Sequence, residues 1–204
     1  MPLKKIYLVR HGQTKFNQQG VVQGRGIDAP LNETGIRQAE MFYQAYKNIS
    51  FEKVYTSSLK RTHESVQQFI KDGIEHEEYE GFDEISWGLH EGAEASEERN
   101  VYFRDIIAQW TQGKTHIKIE GGESPEDVAE RQMLVINKIL GSSEDVILVC
   151  MHGRAIRILL CKLLDYPLSE MDKFAHANLG LYVLDYTDGV FNINLENSTR
   201  HLVG

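Results

Sequence analysis

"KKIYLVRHGQTKFNQQG", Lys4 to Gly20, runs a short apolar stretch straight into an arginine and a histidine, then releases both at a glycine. The unbroken apolar run Ile6 to Val9 is the pattern of a strand covered on both faces, as in a parallel sheet. A second such run, Val146 to Met151, is likewise followed by His152-Gly153. Lys53 to Thr56 gives a third, shorter strand. Gly180 to Asp185 and Val190 to Leu195, split by Thr187-Asp188-Gly189, read as a terminal hairpin.

Helical periods fill the spaces between these strands. Thr34 to Lys47 keeps Ala39, Phe42, Tyr43 and Tyr46 on one stripe, and Leu59 to Lys71 gathers Thr62, Val66, Phe69 and Ile70. That spacing makes the first set of aromatics core residues rather than a nucleotide-binding face. Ser124 can cap a helix running to about Leu140, with Pro125 at its first position and Glu126 and Asp127 against the positive end of its dipole. A further helix spans Ala155 to Leu164, and one more is predicted over Glu94 to Trp110. Strand and helix alternate, so the fold class is α/β with a mainly parallel central sheet. Ligands of open sheets bind outside the carboxyl ends of the strands, which places Arg10-His11-Gly12 and His152-Gly153 at one crevice.

The 204 residues suit a single domain, 1–204, with the least regular region, 81–123, read as an insertion or lid over the strand ends. A net charge of −8 argues against a nucleic-acid surface, which needs a basic face. Cys150 and Cys161 are too few for a disulfide framework and lie in apolar patterns, as buried reduced thiols do. The first apolar run is too short for a signal-peptide core or a membrane span. The expectation is therefore a cytoplasmic protein with no membrane partner.

Six stretches then occur in order: RHGQTKFN (10–17), QGRGIDAPLNETG (23–35), YTSSLKRTHES (55–65), DEISWGLHEG (83–92), GGES (121–124) and CMHGRAIRILL (150–160). Together they closely resemble the histidine phosphatase superfamily, also called the phosphoglycerate-mutase-like family, over nearly the whole chain. The resemblance implies a three-layer α/β sandwich and a phosphohistidine mechanism without metal. It matches His11 to the nucleophile, Arg10, Arg61 and His152 to the phosphate pocket, and Glu84 to the acid that protonates the leaving group. Asn17, Gln23 and Gly24 fall on the family's substrate loop, and Gly153 follows the second histidine. Gln13 stands where a glutamate is common. His90 stands where a tryptophan is common, and is taken to face the substrate.

Chemistry asks for these residue types independently. Phosphoryl transfer rests on positioning and charge stabilisation, and planar guanidinium forks suit phosphate oxygens. Neighbouring cations lower the pKa of an imidazole and keep a nucleophilic His11 neutral. A buried carboxylic acid can protonate an alkoxide, and Ile85 and Trp87 are apolar neighbours for Glu84, although Asp83 and Glu91 are also near in sequence. Read alone, His11 could be a strand-end surface residue and Arg61 a solvated one beside Lys60. A zinc site from His11, His152 and a carboxylate is disfavoured by the arginines beside it. His63, His76, His116, His176 and His201 belong to no motif and read as surface or structural. Arg25, Lys114, Arg154 and Arg200 are candidates for a second anionic group.

The resemblance implies a metal-independent phosphomonoesterase acting on a small phosphorylated metabolite. A phosphoglycerate mutase would use the same residues, and 2,3-bisphosphoglycerate enters as a cofactor only in that case. Mutases of the family carry a longer insertion after the acid motif than Gly92 to Gly121, which favours the phosphatase. A non-catalytic phospho-ligand binder is the third reading, and a homodimer is a further possibility.

Overall fold

The computed structural model describes residues 3–93 and 96–203. Its centre is one six-stranded sheet made of β1 (Lys4–Arg10), β2 (Lys53–Thr56), β3 (Glu75–Glu78), β4 (Val146–Met151), β5 (Leu181–Thr187) and β6 (Val190–Ser198), in spatial order β3-β2-β4-β1-β5-β6. β1, β2, β3 and β4 pair in parallel, whereas β5 runs antiparallel to β1 and to β6. The helices are α1 (Lys15–Gln19), α2 (Glu33–Tyr46), α3 (Lys60–Lys71), α4 (Glu97–Thr111), α5 (Pro125–Leu140) and α6 (Gly153–Leu163).

Alternating strand residues feed two cores, one on each face of the sheet. Ile6, Leu8, Ile147, Val149 and Met151 pack with Val128, Ile136, Ile156 and Leu159 of α5 and α6. Val9, Val54, Leu148 and Cys150 pack with Phe42 of α2 and with Val66 and Phe69 of α3. The result is an α/β sandwich whose mixed, mostly parallel sheet is covered by helices on both sides. It explains why Ile6–Val9 of β1 and Val146–Met151 of β4 read as continuous apolar runs.

The forecast elements appear within a few residues of their expected ends. Ser124 caps α5 through the Asp127 amide, and Asp127 answers from its own side chain, a reciprocal capping box. The hairpin turns at Asp188 and Gly189, both with positive φ (52° and 86°), the backbone a tight two-residue turn demands. The predicted helix at Glu94–Trp110 is observed as Glu97–Thr111, and positions 94 and 95 lie outside the described residues.

β3 was not anticipated. Its sequence, Glu-His-Glu-Glu, has no apolar alternation because it is an edge strand, where charge discourages further pairing. Lys53 of β2 answers it through ion pairs to Glu75 (2.8 Å) and Glu77 (2.6 Å). Region 81–123 is anchored in the body of the fold: Phe82, Ile85, Ile106, Trp110 and Ile119 all lie in the core. Among the described residues no helix is long and apolar enough to cross a membrane.

Candidate active site

The register of the sheet assembles the site. Arg10 pairs with Met151 at the carboxyl ends of β1 and β4, so His11 and His152 follow side by side, with ring centroids 5.2 Å apart. Thr56 pairs with Cys150, which brings Ser57 to the same level. A cavity of about 220 Å³ opens there, lined by Arg10, His11, Asn17, Gln23, Glu84, Trp87, Gly153, Arg154 and His176, among others.

His11 is almost fully buried, and its Nδ1 lies 2.7 Å from the carbonyl oxygen of Gly12. A carbonyl only accepts, so Nδ1 carries the proton and Nε2 keeps its lone pair. Burial first, then the charges of Arg61 and Arg10, hold its pKa well below the ordinary imidazole value. The ring is therefore neutral at neutral pH, in the tautomer that leaves Nε2 nucleophilic.

Arg61, at the start of α3, is wholly buried and fixed by three acceptors. It donates from Nε to Nδ1 of His152 (3.2 Å), from one terminal nitrogen to the Ile27 carbonyl (2.6 Å) and from the other to the Gly24 carbonyl (3.2 Å). His152 is neutral in consequence, because its Nδ1 accepts, and its Nε2–H then donates to Oγ of Ser57 (2.7 Å). Burial and the Arg61 charge lower its pKa strongly. His152 thus braces Arg61 and Ser57 and does not line the cavity.

Arg10 donates from one terminal nitrogen to the His176 carbonyl (2.7 Å) and lies 3.1 Å from that ring's Nδ1. Its Nε–H is buried and meets no acceptor among the described residues, and the buried Oε1 of Gln23 meets no donor among them. Burial lowers the guanidinium to about 10, still charged at neutral pH. A positive group with an unspent donor at the cavity wall is suited to an anionic oxygen.

Glu84 is held by three backbone N–H groups, those of Ile85 (3.0 Å), Arg154 (3.0 Å) and Ala155 (2.8 Å). The last two belong to the first turn of α6, where unpaired donors favour a carboxylate. Its surroundings are thus more polar than the Ile85-Trp87 neighbourhood suggested. Arg131 of α5 braces the loop by donating to the carbonyls of Gly81 (2.9 Å), Asp83 (2.9 Å) and Glu84 (3.1 Å) while paired with Glu123. Asp83 turns away to the amide and hydroxyl of Ser58 and to Arg25. Glu91 accepts from the Trp87 amide (2.9 Å), so of the three acids only Glu84 lines the cavity.

Asn17 and Gln23 both line the cavity and are tied to Thr14, Asn17 through a capping box and Gln23 through a 2.9 Å bond to Oγ1. Gly24 permits a close approach: a Cβ there would stand 2.2 Å from Oε1 of Glu91 and 2.5 Å from the Ile85 carbonyl. Gly153 opens α6 beside His176 and Arg10. His90 departs from expectation. Its ring stacks on Tyr102 with centroids 4.2 Å apart and lines a separate cavity with Leu89, Arg99 and Glu120, because the turn at Gly88 directs it toward α4.

His176, read as surface or structural, lines the site, and Asn178 binds the His11 carbonyl through Nδ2 (3.0 Å). Both precede β5, which runs antiparallel, so its amino end meets the carboxyl end of β1. Among the described residues no group of three or more His, Cys, Asp or Glu is placed to hold a metal ion.

Comparison with known proteins fits this arrangement. Fructose-2,6-bisphosphatase TIGAR from Mus musculus is 38% identical over 71 residues, 35% of this chain and 26% of the mouse protein, so the match spans about a quarter of that relative's length. Phosphoserine phosphatase 1 from Hydrogenobacter thermophilus is 27% identical over 207 residues, covering 97% of this chain and 94% of its own. A structure of a phosphoserine phosphatase mutant from Entamoeba histolytica, in complex with phosphoserine, superposes with a TM-score of 0.83 at 26% identity, covering 98% of this chain and 100% of that one. The family model of the histidine phosphatase superfamily (branch 1) matches residues 6–199, and the chain belongs to that superfamily.

Proposed function

We propose that this protein is a phosphomonoesterase that takes the phosphoryl group of a small phosphorylated metabolite onto Nε2 of His11 and passes it to water. The observation that carries the reading is the tautomer of His11, fixed by the Gly12 carbonyl, which leaves Nε2 unprotonated among the charges of Arg10 and Arg61. Relatives that act on phosphoserine and fructose 2,6-bisphosphate support the substrate class.

In the first step Nε2 attacks phosphorus as the ester P–O bond breaks, and Glu84, a carboxylate in the free site, takes the proton of a monoanionic phosphate ester and hands it to the leaving oxygen. Arg10, through its unspent Nε–H, and Arg61 stabilise the charge on the transferring group. In the second step Glu84, now a carboxylate, takes a proton from water, which attacks phosphorus and frees His11 and inorganic phosphate. His152 keeps Arg61 in place throughout. Segment 81–123 supplies Trp87 to the cavity wall and acts as its cover.

The test is hydrolysis of p-nitrophenyl phosphate in the presence of EDTA by the unmodified protein and by His11→Ala. Turnover that survives EDTA and vanishes in the variant is expected. No turnover by either protein would favour a binder, and loss to EDTA would favour a metal enzyme. Phosphoryl return to phosphoglycerate on addition of 2,3-bisphosphoglycerate would identify a mutase.

A further inference from the structure

Beyond the phosphoryl pocket, the cavity wall at the amino end of α6 carries positive charge that the transfer itself does not use. Arg154 lines the cavity, and its guanidinium pairs with Asp172 (2.5 Å) and lies 6.0 Å from the ring of Trp110. Arg157, one turn on, pairs with the same oxygen of Asp172 (2.6 Å). One carboxylate therefore serves two guanidinium groups. Among the described residues Asp172 is the carboxylate that both guanidinium groups pair with, one negative charge against two positive ones.

His176 adds a directed donor. Its Nδ1 faces a terminal nitrogen of Arg10, which can only donate, so Nδ1 accepts and the proton sits on Nε2. His176 lines the same cavity as Arg154, so the ring brings an Nε2–H donor to that site. The neutral state of that ring follows from burial and from the surrounding charges of Arg10, Arg157 and Arg154.

We infer that Arg154 and His176 read a second acidic group on the substrate, a carboxylate carried within a few bonds of the phosphate ester. The inference rests on the phosphomonoester reading of this site and narrows it. A planar guanidinium fork matches a carboxylate, and a cavity of about 220 Å³ suits a small carboxylated phosphoester. Asp172 holds Arg154 until the ligand's own carboxylate shares it.

Binding to the His11→Ala protein, measured by titration calorimetry, separates this claim from catalysis. The paired probes are 3-phosphoglycerate against glycerol 3-phosphate, with fructose 1,6-bisphosphate against fructose 1-phosphate for a second phosphate. The expected result is 3-phosphoglycerate binding at least about tenfold tighter than glycerol 3-phosphate, which lacks the carboxylate, the ratio falling toward one in His11→Ala with Arg154→Met. Equal binding of the first pair, or a ratio that Arg154→Met leaves intact, overturns the inference. A preference confined to the bisphosphate overturns the assignment to a carboxylate. Should Arg154→Met fail to fold, Asp172→Asn frees the guanidinium at an exposed position and is expected to raise the ratio, whereas an unchanged ratio contradicts the role. Failure of the phosphatase reading shows separately, as absent p-nitrophenyl phosphate turnover by the unmodified chain.

Discussion

The Nε–H of Arg61 donates to Nδ1 of His152 across 3.2 Å, and neither side chain is exposed to solvent. This contact joins two motifs 91 residues apart and turns His152 into a brace for a guanidinium. Arg61→Lys keeps the charge but cannot reproduce three donors directed at His152, Ile27 and Gly24. We expect a loss of about 3 kcal/mol of stability and at least about 100-fold in kcat/KM, read from denaturant unfolding and phosphatase assays. A variant of native stability and activity would mean that charge alone suffices.

Glu84 sits where three N–H groups converge, and a carboxamide offers them only one acceptor oxygen. Glu84→Gln removes the proton donor as well. Alkyl phosphates need that proton on their leaving oxygen, whereas p-nitrophenolate departs without it. The expected fall in kcat is about 10²- to 10⁴-fold for an alkyl phosphate and distinctly smaller for p-nitrophenyl phosphate. Equal losses on both substrates would contradict the role of general acid.

His176 titrates at about 4, pushed down by burial and then by Arg10. An unfolded histidine titrates near 6.5, roughly, so the unfolded chain binds more protons in between. The sign follows: the contribution of neutral His176 is complete above the unfolded value and is lost as pH falls toward the folded one. His11 and His152 shift in the same direction. The melting temperature is expected to drop as pH is lowered below about 6.5, and the stability gap between wild type and His176→Gln should narrow. Histidine NMR should find His176 neutral at pH 5.5 or so; a midpoint near the ordinary value would contradict this.

Gly24 carries the carbonyl that Arg61 uses, and it lies against Glu91 and the Ile85 carbonyl too closely for a side chain. Gly24→Ala forces the two loops apart. About 1–3 kcal/mol of destabilisation is expected, a fall of several degrees in melting temperature, with KM raised because Gln23 moves too. An unchanged melting temperature would show that the loops yield without cost.

The sheet and most helices were legible because the chain writes them in apolar periods and caps: Ile6–Val9 and Val146–Met151 carry the pattern of doubly covered strands, and Ser124-Pro125 announced α5. β3 was hidden because an edge strand is written in charge. His11, Arg10, Arg61, Glu84 and His152 were legible through their motifs, yet motifs do not state contacts. His152 proves to brace Arg61, and the surroundings of Glu84 depend on α6 amides that no local pattern reveals. His176 and Asn178 carry no motif and precede a strand, β5, that runs antiparallel and brings its amino end to the carboxyl end of β1, so the rule that ligands lie at carboxyl ends does not reveal them. Arg131 escaped because its partners are backbone carbonyls, which leave no trace in side-chain sequence. His90 was read from its place in a motif, and its stacking on Tyr102 is set by a helix distant in the motif's own terms.

The most direct measurement is to trap the phosphorylated protein by rapid alkaline quench during turnover and to locate the phosphoryl group by peptide mass spectrometry and phosphorus NMR. Modification of His11 at Nε2, absent from His11→Ala, is the expected result. A phosphoryl group on any other residue, or on Nδ1 of His11, would contradict the tautomer that the Gly12 carbonyl imposes and the chemistry built on it.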